Sequence, residues 1–249
     1  MSWWVAIYTL ACVFGAAIVR GYSGFGFSLL AVTSLSLVLP PAETIPPIFM
    51  MEIAASLGLL PAIWKDIHWR AIGWLSLGCL VGTPFGVWFL ASVPTAPMKI
   101  ALAAAVIAAV ALLWSGYVRR TMPNAVETVA TGGVAGLLNG AFGIGGPPVV
   151  VFFFSSPAGA SVSRASLIAF FIGTDITGLM FLAREGLVTV DGFYRFLMFV
   201  PALLVGQWLG ARTFKNTDPT EFRRWVFGIL IVLALLTGLQ GLSMLSKAS

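Results

Sequence analysis

Two carboxylates stand inside apolar stretches of the chain, where a charged group is costly. Glu52 lies within Met51–Ala55 and Asp175 within Gly173–Ile176. A carboxylate in hydrocarbon costs roughly 3 kcal/mol or more, so it normally faces a cavity, pairs with a neighbour or stays protonated. We therefore predict that Glu52 and Asp175 carry a coupling proton. The alternative is that each acid hydrogen-bonds a neighbouring helix.

Two glycine-rich segments interrupt apolar runs in a shared pattern. Gly21–Gly26 aligns with Gly140–Gly145 at an offset of 119 residues. Glycine admits left-handed backbone angles and proline lacks a backbone donor, so no continuous helix is expected from Gly143 to Pro148. Broken backbone inside a membrane lines protein or a wet cavity, and half-helix N-termini attract anions. The amides predicted to bind an anion are those of Gly24, Gly26, Gly143, Gly145 and Gly146.

Polar side chains beside the two breaks extend this predicted anion site. The candidates are Arg20, Ser23, Asn139 and Arg164. Hydroxyl and amide groups can donate to an oxyanion, and an arginine can bind one through two parallel hydrogen bonds. The alternative for Ser23 and Asn139 is hydrogen bonding between helices. The alternative for Arg20 and Arg164 is a topogenic or headgroup-facing role.

The composition identifies a polytopic membrane protein. The chain has 249 residues, 59% hydrophobic and 9% charged, with a mean hydropathy of +0.99. Soluble domains carry roughly 25% charged residues. The net charge of +5 comes from basic residues at the ends of apolar segments and does not indicate a nucleic-acid partner. With one histidine, two isolated cysteines and no HExxH or GxSxG motif, neither an enzyme, a metal site nor a cofactor is expected.

Hydropathy predicts five apolar segments in each half of the chain. The first half has segments at 3–19, 27–39, 48–64, 71–93 and 98–118, and the second at 126–142, 149–154, 165–183, 193–211 and 222–244. Turns are expected at Pro40–Pro47 and at Ser155–Arg164. The predicted fold is all-α, with about 8–10 membrane segments. The two homologous repeats are 1–118 and 126–249, joined by a loop at 119–125.

A second set of glycines supports the duplication. Gly82 and Gly86 match Gly206 and Gly210 in the fourth segment of each half. Small residues four apart let two membrane helices approach closely. We expect these four glycines to serve helix packing and not the binding site.

Charge favours an inverted arrangement of the repeats. If each half crosses the membrane an odd number of times, the second repeat is inverted relative to the first. If the two segments on either side of a glycine break together form one crossing, each half has four crossings and the repeats are parallel. With five crossings, Arg119, Arg120, Arg164 and the basic residues between 212 and 224 fall on one side. Basic residues are retained on the cytoplasmic side, so we predict the inverted repeat.

The motif Ala135–Pro148, with its weaker copy Arg20–Phe27, resembles the TauE/SafE family of sulfite exporters. The resemblance covers nearly the whole chain. It implies a secondary transporter that moves sulfite, thiosulfate or an organosulfonate across the plasma membrane by alternating access. In a Gram-negative source this is the inner membrane. One departure is Phe27-Ser28 in the place of Gly146-Pro147, so the two half-sites need not contribute equally.

The expected partners are a small sulfur anion, the lipid bilayer, a coupling proton and a second copy of the chain in a homodimer. A passive anion channel is the main alternative to a carrier, because a pore can share the same anion site. A membrane assembly factor is a further alternative. Dependence of flux on a proton gradient distinguishes a coupled carrier from a pore.

Overall fold

The computed structural model describes residues 3–117, 123–155, 157, 159–213 and 219–248, and every element in these ranges is helical. The first half contains α1 (Trp3–Ser23), α2 (Phe27–Leu35), α3 (Pro41–Leu57), α4 (Leu60–Ile63), a short 3-10 helix (Trp64–Asp66), α5 (Trp69–Ser92) and α6 (Thr95–Trp114). The second half contains α7 (Ala125–Phe142), α8 (Gly146–Phe154), α9 (Ala160–Arg184), α10 (Val190–Thr213) and α11 (Pro219–Ala248).

Six of the described helices are long and apolar enough to cross a membrane: α1, α5, α6, α9, α10 and α11. A seventh span arises if α3 and the segment Leu60–Asp66, which is bent from it by 57°, cross together. The all-α, multi-pass class is therefore confirmed. Arg119, Arg120 and most of the predicted inter-repeat loop lie outside the described residues.

Both predicted helix breaks are present. α1 ends at Ser23, and Gly24 and Gly26 then take left-handed angles, with φ of 81° and 88°. α7 ends at Phe142, Gly143 has φ of 68°, and α8 begins at Gly146. A residue with a Cβ is strained at these angles, so glycine is needed at both breaks.

The two predicted turns are wrong in extent, because helix begins inside each. α3 begins at Pro41 and runs through Pro46 and Pro47. Pro41 fits a first helical turn. Pro47 has no N–H to donate to Glu43 O, four residues earlier. That oxygen instead accepts a hydrogen bond from Arg195 Nη1 (3.5 Å). The predicted loop at Ser155–Arg164 ends early, since α9 begins at Ala160.

Glycine seams join the two halves, as expected for Gly82, Gly86, Gly206 and Gly210. A Cβ at Gly82 would lie 2.1 Å from Gly133 O on α7. A Cβ at Gly210 would lie 2.1 Å from the backbone oxygen of Ile18 on α1. Helices α5 and α7, and likewise α1 and α10, therefore touch backbone to backbone, and the packing role of these glycines is confirmed.

The two halves interlock helix by helix. α1 of the first half packs on α10 of the second, and α7 of the second packs on α5 of the first. α3 packs on α9, and α6 packs on α11. In addition, α3 contacts α10 and α9 contacts α5. Exchanging the two halves maps α1–α10 onto α7–α5 and α3–α10 onto α9–α5, and it maps α3–α9 and α6–α11 onto themselves. This is the pattern that a two-fold relation between the repeats produces.

The equivalent helices α6 and α11 run antiparallel. Lys99, near the start of α6, donates to Gln240 Oε1 near the end of α11 (2.8 Å). Arg223, near the start of α11, donates to Leu113 O near the end of α6 (2.8 Å). An inverted repeat requires this relative direction for two equivalent spans. The inversion itself stays a prediction.

Candidate functional site

A cavity of about 30 Å³ lies where the two helix breaks meet. Its walls come from both halves and include both intramembrane acids, Glu52 and Asp175. The volume suits a few water molecules or one compact ion. Residues of the breaks that line the cavity are Gly26, Gly143, Gly145 and Gly146, together with the side chain of Asn139.

The half of the site built from the first repeat contains a buried ion pair. Arg20, the residue before the first break, is 3% exposed and donates through Nη1 to Glu52 Oε2 on α3. Its Nη2 donates to Ser56 Oγ (2.5 Å) one turn further along α3. The other carboxylate oxygen of Glu52 accepts from Ser28 Oγ (2.7 Å) and Ser28 N–H (3.3 Å) at the start of α2. These bonds connect the first break to α3.

The half of the site built from the second repeat holds a carboxylate through an amide. Asn139 Nδ2 donates to Asp175 Oδ1 on α9 (3.1 Å), and the Gly145 N–H donates to Asn139 Oδ1 (3.3 Å). Asn139 and Asp175 are both buried. Asn139 therefore connects the second break to the acid of α9.

The two clusters occupy equivalent positions at the 119-residue offset. Arg20 corresponds to Asn139 and Ser56 to Asp175, so the Arg20–Ser56 and Asn139–Asp175 hydrogen bonds are counterparts. Glu52 corresponds to an aromatic residue of the second repeat, Phe171, which also lines the cavity. Ser28 and Ser56 were not predicted. Applying the offset to Asp175 would have identified Ser56.

Several predicted anion donors already take part in the ends of the helices. The Gly24 N–H donates to Arg20 O (2.7 Å), and the Gly143 N–H donates to Asn139 O (2.8 Å). Ser23 Oγ lies within hydrogen-bond distance of two backbone oxygens, at 2.7 Å and 2.8 Å. These groups close the C-terminal ends of α1 and α7. Their roles as anion ligands stay predictions.

Arg164 lies outside the cavity, over the first break. It is exposed near the start of α9, and its Nε would be 3.0 Å from a Cβ placed on Gly24. The structure thus brings Arg164 to the break of the other repeat, although 140 positions separate the two residues. The predicted role of Arg164 in anion binding stays a prediction.

No group of three or more His, Cys, Asp or Glu side chains with metal-site geometry occurs in the described part of the chain. The groups that the cavity does present are two carboxylates, a carboxamide and the starts of two half-helices. A guanidinium lies next to one of the carboxylates. This set suits the binding of a small anion and a proton.

Comparison with known proteins agrees with this geometry. Residues 9–237 match the family model described as Sulfite exporter TauE/SafE. A curated protein of Cupriavidus necator, named "Probable sulfite/organosulfonate exporter TauE", is 28% identical over 218 residues, which cover 84% of this chain and 83% of that protein. No solved structure matches the chain significantly. With its apolar helices and the family match over most of its length, this multi-pass membrane protein belongs to the TauE/SafE family of sulfite exporters and is a transporter, not an enzyme.

Proposed function

We propose that the protein is a secondary transporter of a small sulfur-containing anion, such as sulfite, thiosulfate or an organosulfonate, across the plasma membrane. The observation that carries this proposal is the cavity between the two breaks, which both halves line with polar groups. The family description and the name of the Cupriavidus relative supply the class of anion.

The anion binds between the two half-helices α2 and α8. Gly26 and Gly146 lie at the starts of these helices and line the cavity. The first turn of a helix leaves backbone N–H groups without helical partners and carries a partial positive charge, which favours an oxyanion. In α8 the donor is the N–H of Gly146, because Pro147 and Pro148 have none. The Asn139 amide and the Arg20 guanidinium supply further donors beside these starts.

A proton accompanies the anion, because the cavity already holds two carboxylates beside one guanidinium. A further negative charge in a low-dielectric site is strongly repelled unless a proton neutralises one of them. Glu52 and Asp175 are the groups at the cavity that can take this proton. Proton coupling also separates the carrier from a passive channel, whose flux follows the anion gradient and the membrane potential alone.

Alternating access moves the site between the two sides of the membrane. The antiparallel equivalent helices α6 and α11 support an inverted repeat, which places the two breaks near the midplane. The narrow cavity supports a closed state, from which either side opens by movement of packed helices. A homodimer and a role in membrane assembly remain predictions without support from the geometry.

Flux into proteoliposomes tests this function. The purified protein is reconstituted into lipid vesicles. Uptake of sulfite, thiosulfate, methanesulfonate, sulfate or acetate is then measured in turn, with and without a proton gradient. Transport of sulfite, thiosulfate or methanesulfonate, but not of sulfate or acetate, that is altered by the gradient supports the proposal. Transport of every anion regardless of the gradient indicates a pore, and transport of none refutes the proposal.

A further inference from the structure

Glu52 stands between the cavity and Arg20. Glu52 and Ser28 line the cavity, and the Arg20 guanidinium is reached through the carboxylate of Glu52. One carboxylate oxygen accepts from Arg20 Nη1 and the other from both donors of Ser28. A guanidinium, a hydroxyl and a half-helix N–H are the donors that an oxyanion seeks. The Glu52 carboxylate therefore occupies an anion-binding position.

We propose that Glu52 is an internal substitute for the transported anion. The sulfur oxyanion takes over the hydrogen bonds of Arg20 and Ser28, and the displaced Glu52 carboxylate takes up one proton. A singly charged anion and a proton arrive together, so the net charge of the cluster does not change. The inference rests on the proposed transport of an anion and assigns the coupling proton to Glu52.

Charge accounting within the site supports displacement over simple addition. The charged or titratable groups that face Glu52 are Arg20 from α1 and Asp175 from α9, whereas Ser28 of α2 and Asn139 of α7 are neutral. Adding an anion to the ion pair places two negative charges beside the one guanidinium, before any charge on Asp175 is counted. Displacement with protonation leaves the guanidinium paired at every stage, and a buried unpaired guanidinium is strongly unfavourable.

The second repeat offers a comparison within the same molecule. There the residue equivalent to Arg20 is Asn139, and the position equivalent to Glu52 is Phe171. Neither a cation nor a competing carboxylate occupies these places. Asp175 is held by a neutral amide instead. The exchange of carboxylate for substrate is thus a property of the first half-site alone.

The test is titration of the purified full-length protein with methanesulfonate by calorimetry, between about pH 5.5 and pH 8.5. This sulfonate is a strong acid and keeps its single charge throughout that range, so any pH dependence belongs to the protein. Wild-type affinity should fall as the pH rises, because each bound anion brings one proton with it and protons then become scarcer. The Glu52→Gln variant should bind at least about tenfold tighter at the upper pH and show no pH dependence.

Further variants keep the test decisive if Glu52→Gln does not fold. Glu52→Asp shortens the carboxylate and weakens its bonds to Arg20 and Ser28 while keeping both charges and both donors, and should tighten binding several-fold. Ser56→Ala is its matched control, since it removes a hydroxyl from Arg20 and leaves Glu52 in place, and should change affinity less than about twofold. The double variant Arg20→Gln with Glu52→Gln removes both members of the buried ion pair and leaves neither without its partner, and should fold but bind no sulfonate.

The outcomes separate this inference from the proposed function. Wild-type binding that is unchanged or weakened by both Glu52→Gln and Glu52→Asp overturns the inference and leaves anion transport standing. A pH dependence that survives in Glu52→Gln and disappears in Asp175→Asn assigns the proton to Asp175 and also overturns it. Absence of binding in every variant, together with absence of flux, refutes both proposals.

Discussion

The seam between α5 and α7 can be tested with two alanine substitutions at one contact point. A Cβ at Gly82 would lie 2.1 Å from Gly133 O, and 2.9 Å from Leu137 N. A Cβ at Gly133 has Gly78 O as its nearest neighbour, at 3.7 Å. Gly82→Ala therefore forces a side chain against backbone, whereas Gly133→Ala on the facing helix makes only an ordinary van der Waals contact.

The size of the effect follows from these distances. Atoms pack at about 3.5–4 Å and this contact would be 2.1 Å, so Gly82→Ala must move the helices apart by roughly 1.5 Å and forfeit about half or more of the local dispersion energy. Overpacking of this kind costs about 1–3 kcal/mol. Gly133→Ala should instead stabilise by up to about 1 kcal/mol through helix propensity. For a chain of this length the two variants should differ in melting temperature by about 2–16 °C.

Thermal unfolding in detergent, followed by tryptophan fluorescence, measures this difference. Sulfite flux of the same preparations shows whether the seam also affects transport. Equal melting temperatures for Gly82→Ala and Gly133→Ala would refute the backbone contact between α5 and α7. A loss with Gly133→Ala as large as that with Gly82→Ala would have the same meaning.

Three further predictions concern the site and its supports. Asp175→Leu removes the acceptor of the Asn139 hydrogen bond and should lower sulfonate flux at least about tenfold. Asp175→Asn can still accept that bond and should lower the flux less. Equal losses in the two variants would contradict a role of Asp175 in positioning Asn139. Arg164→Ala should slow the initial rate of uptake several-fold at low ionic strength and have little effect near 1 M salt, since such steering is screened; a rate ratio independent of salt would contradict it. Lys99→Met leaves Gln240 Oε1 without its donor and should lower the free energy of unfolding, measured with denaturant, by about 1–3 kcal/mol. Part of this stability should return in the double variant Lys99→Met with Gln240→Leu. Additive losses in the two single variants and the double variant would contradict the hydrogen bond between Lys99 and Gln240.

The helix breaks and the class of the fold could be predicted because they depend on local chemistry. Glycine and proline at 143–148 make a continuous helix unfavourable whatever surrounds them. Two acids in apolar runs must have partners or face a cavity, and Glu52 and Asp175 have both. The same reasoning misplaced the turn at Pro40–Pro47, because proline is tolerated where a carbonyl can pair elsewhere, as Glu43 O does with Arg195.

The partners across the site could not be predicted from periodicity. The Arg20–Glu52 pair joins residues 32 positions apart, and its geometry depends on how α1 lies against α3. Hydropathy is nearly the same on all sides of such helices, so it does not reveal which face meets which neighbour. The offset between repeats is more informative, since it relates Arg20 to Asn139 and Ser56 to Asp175 before any packing is known.

The interlocking of the two halves has a consequence for biogenesis. α1 ends at Ser23, and its packing partner α10 begins at Val190, about 170 residues later in synthesis. At translation rates of about 5–20 residues per second, α1 waits on the order of ten seconds or more in the bilayer with its glycine seam uncovered. Until then the N-terminal helices have no complete fold to join. Assembly is therefore a late event, and a nascent chain interrupted before α10 leaves an unpaired helix for the membrane quality-control machinery to recognise.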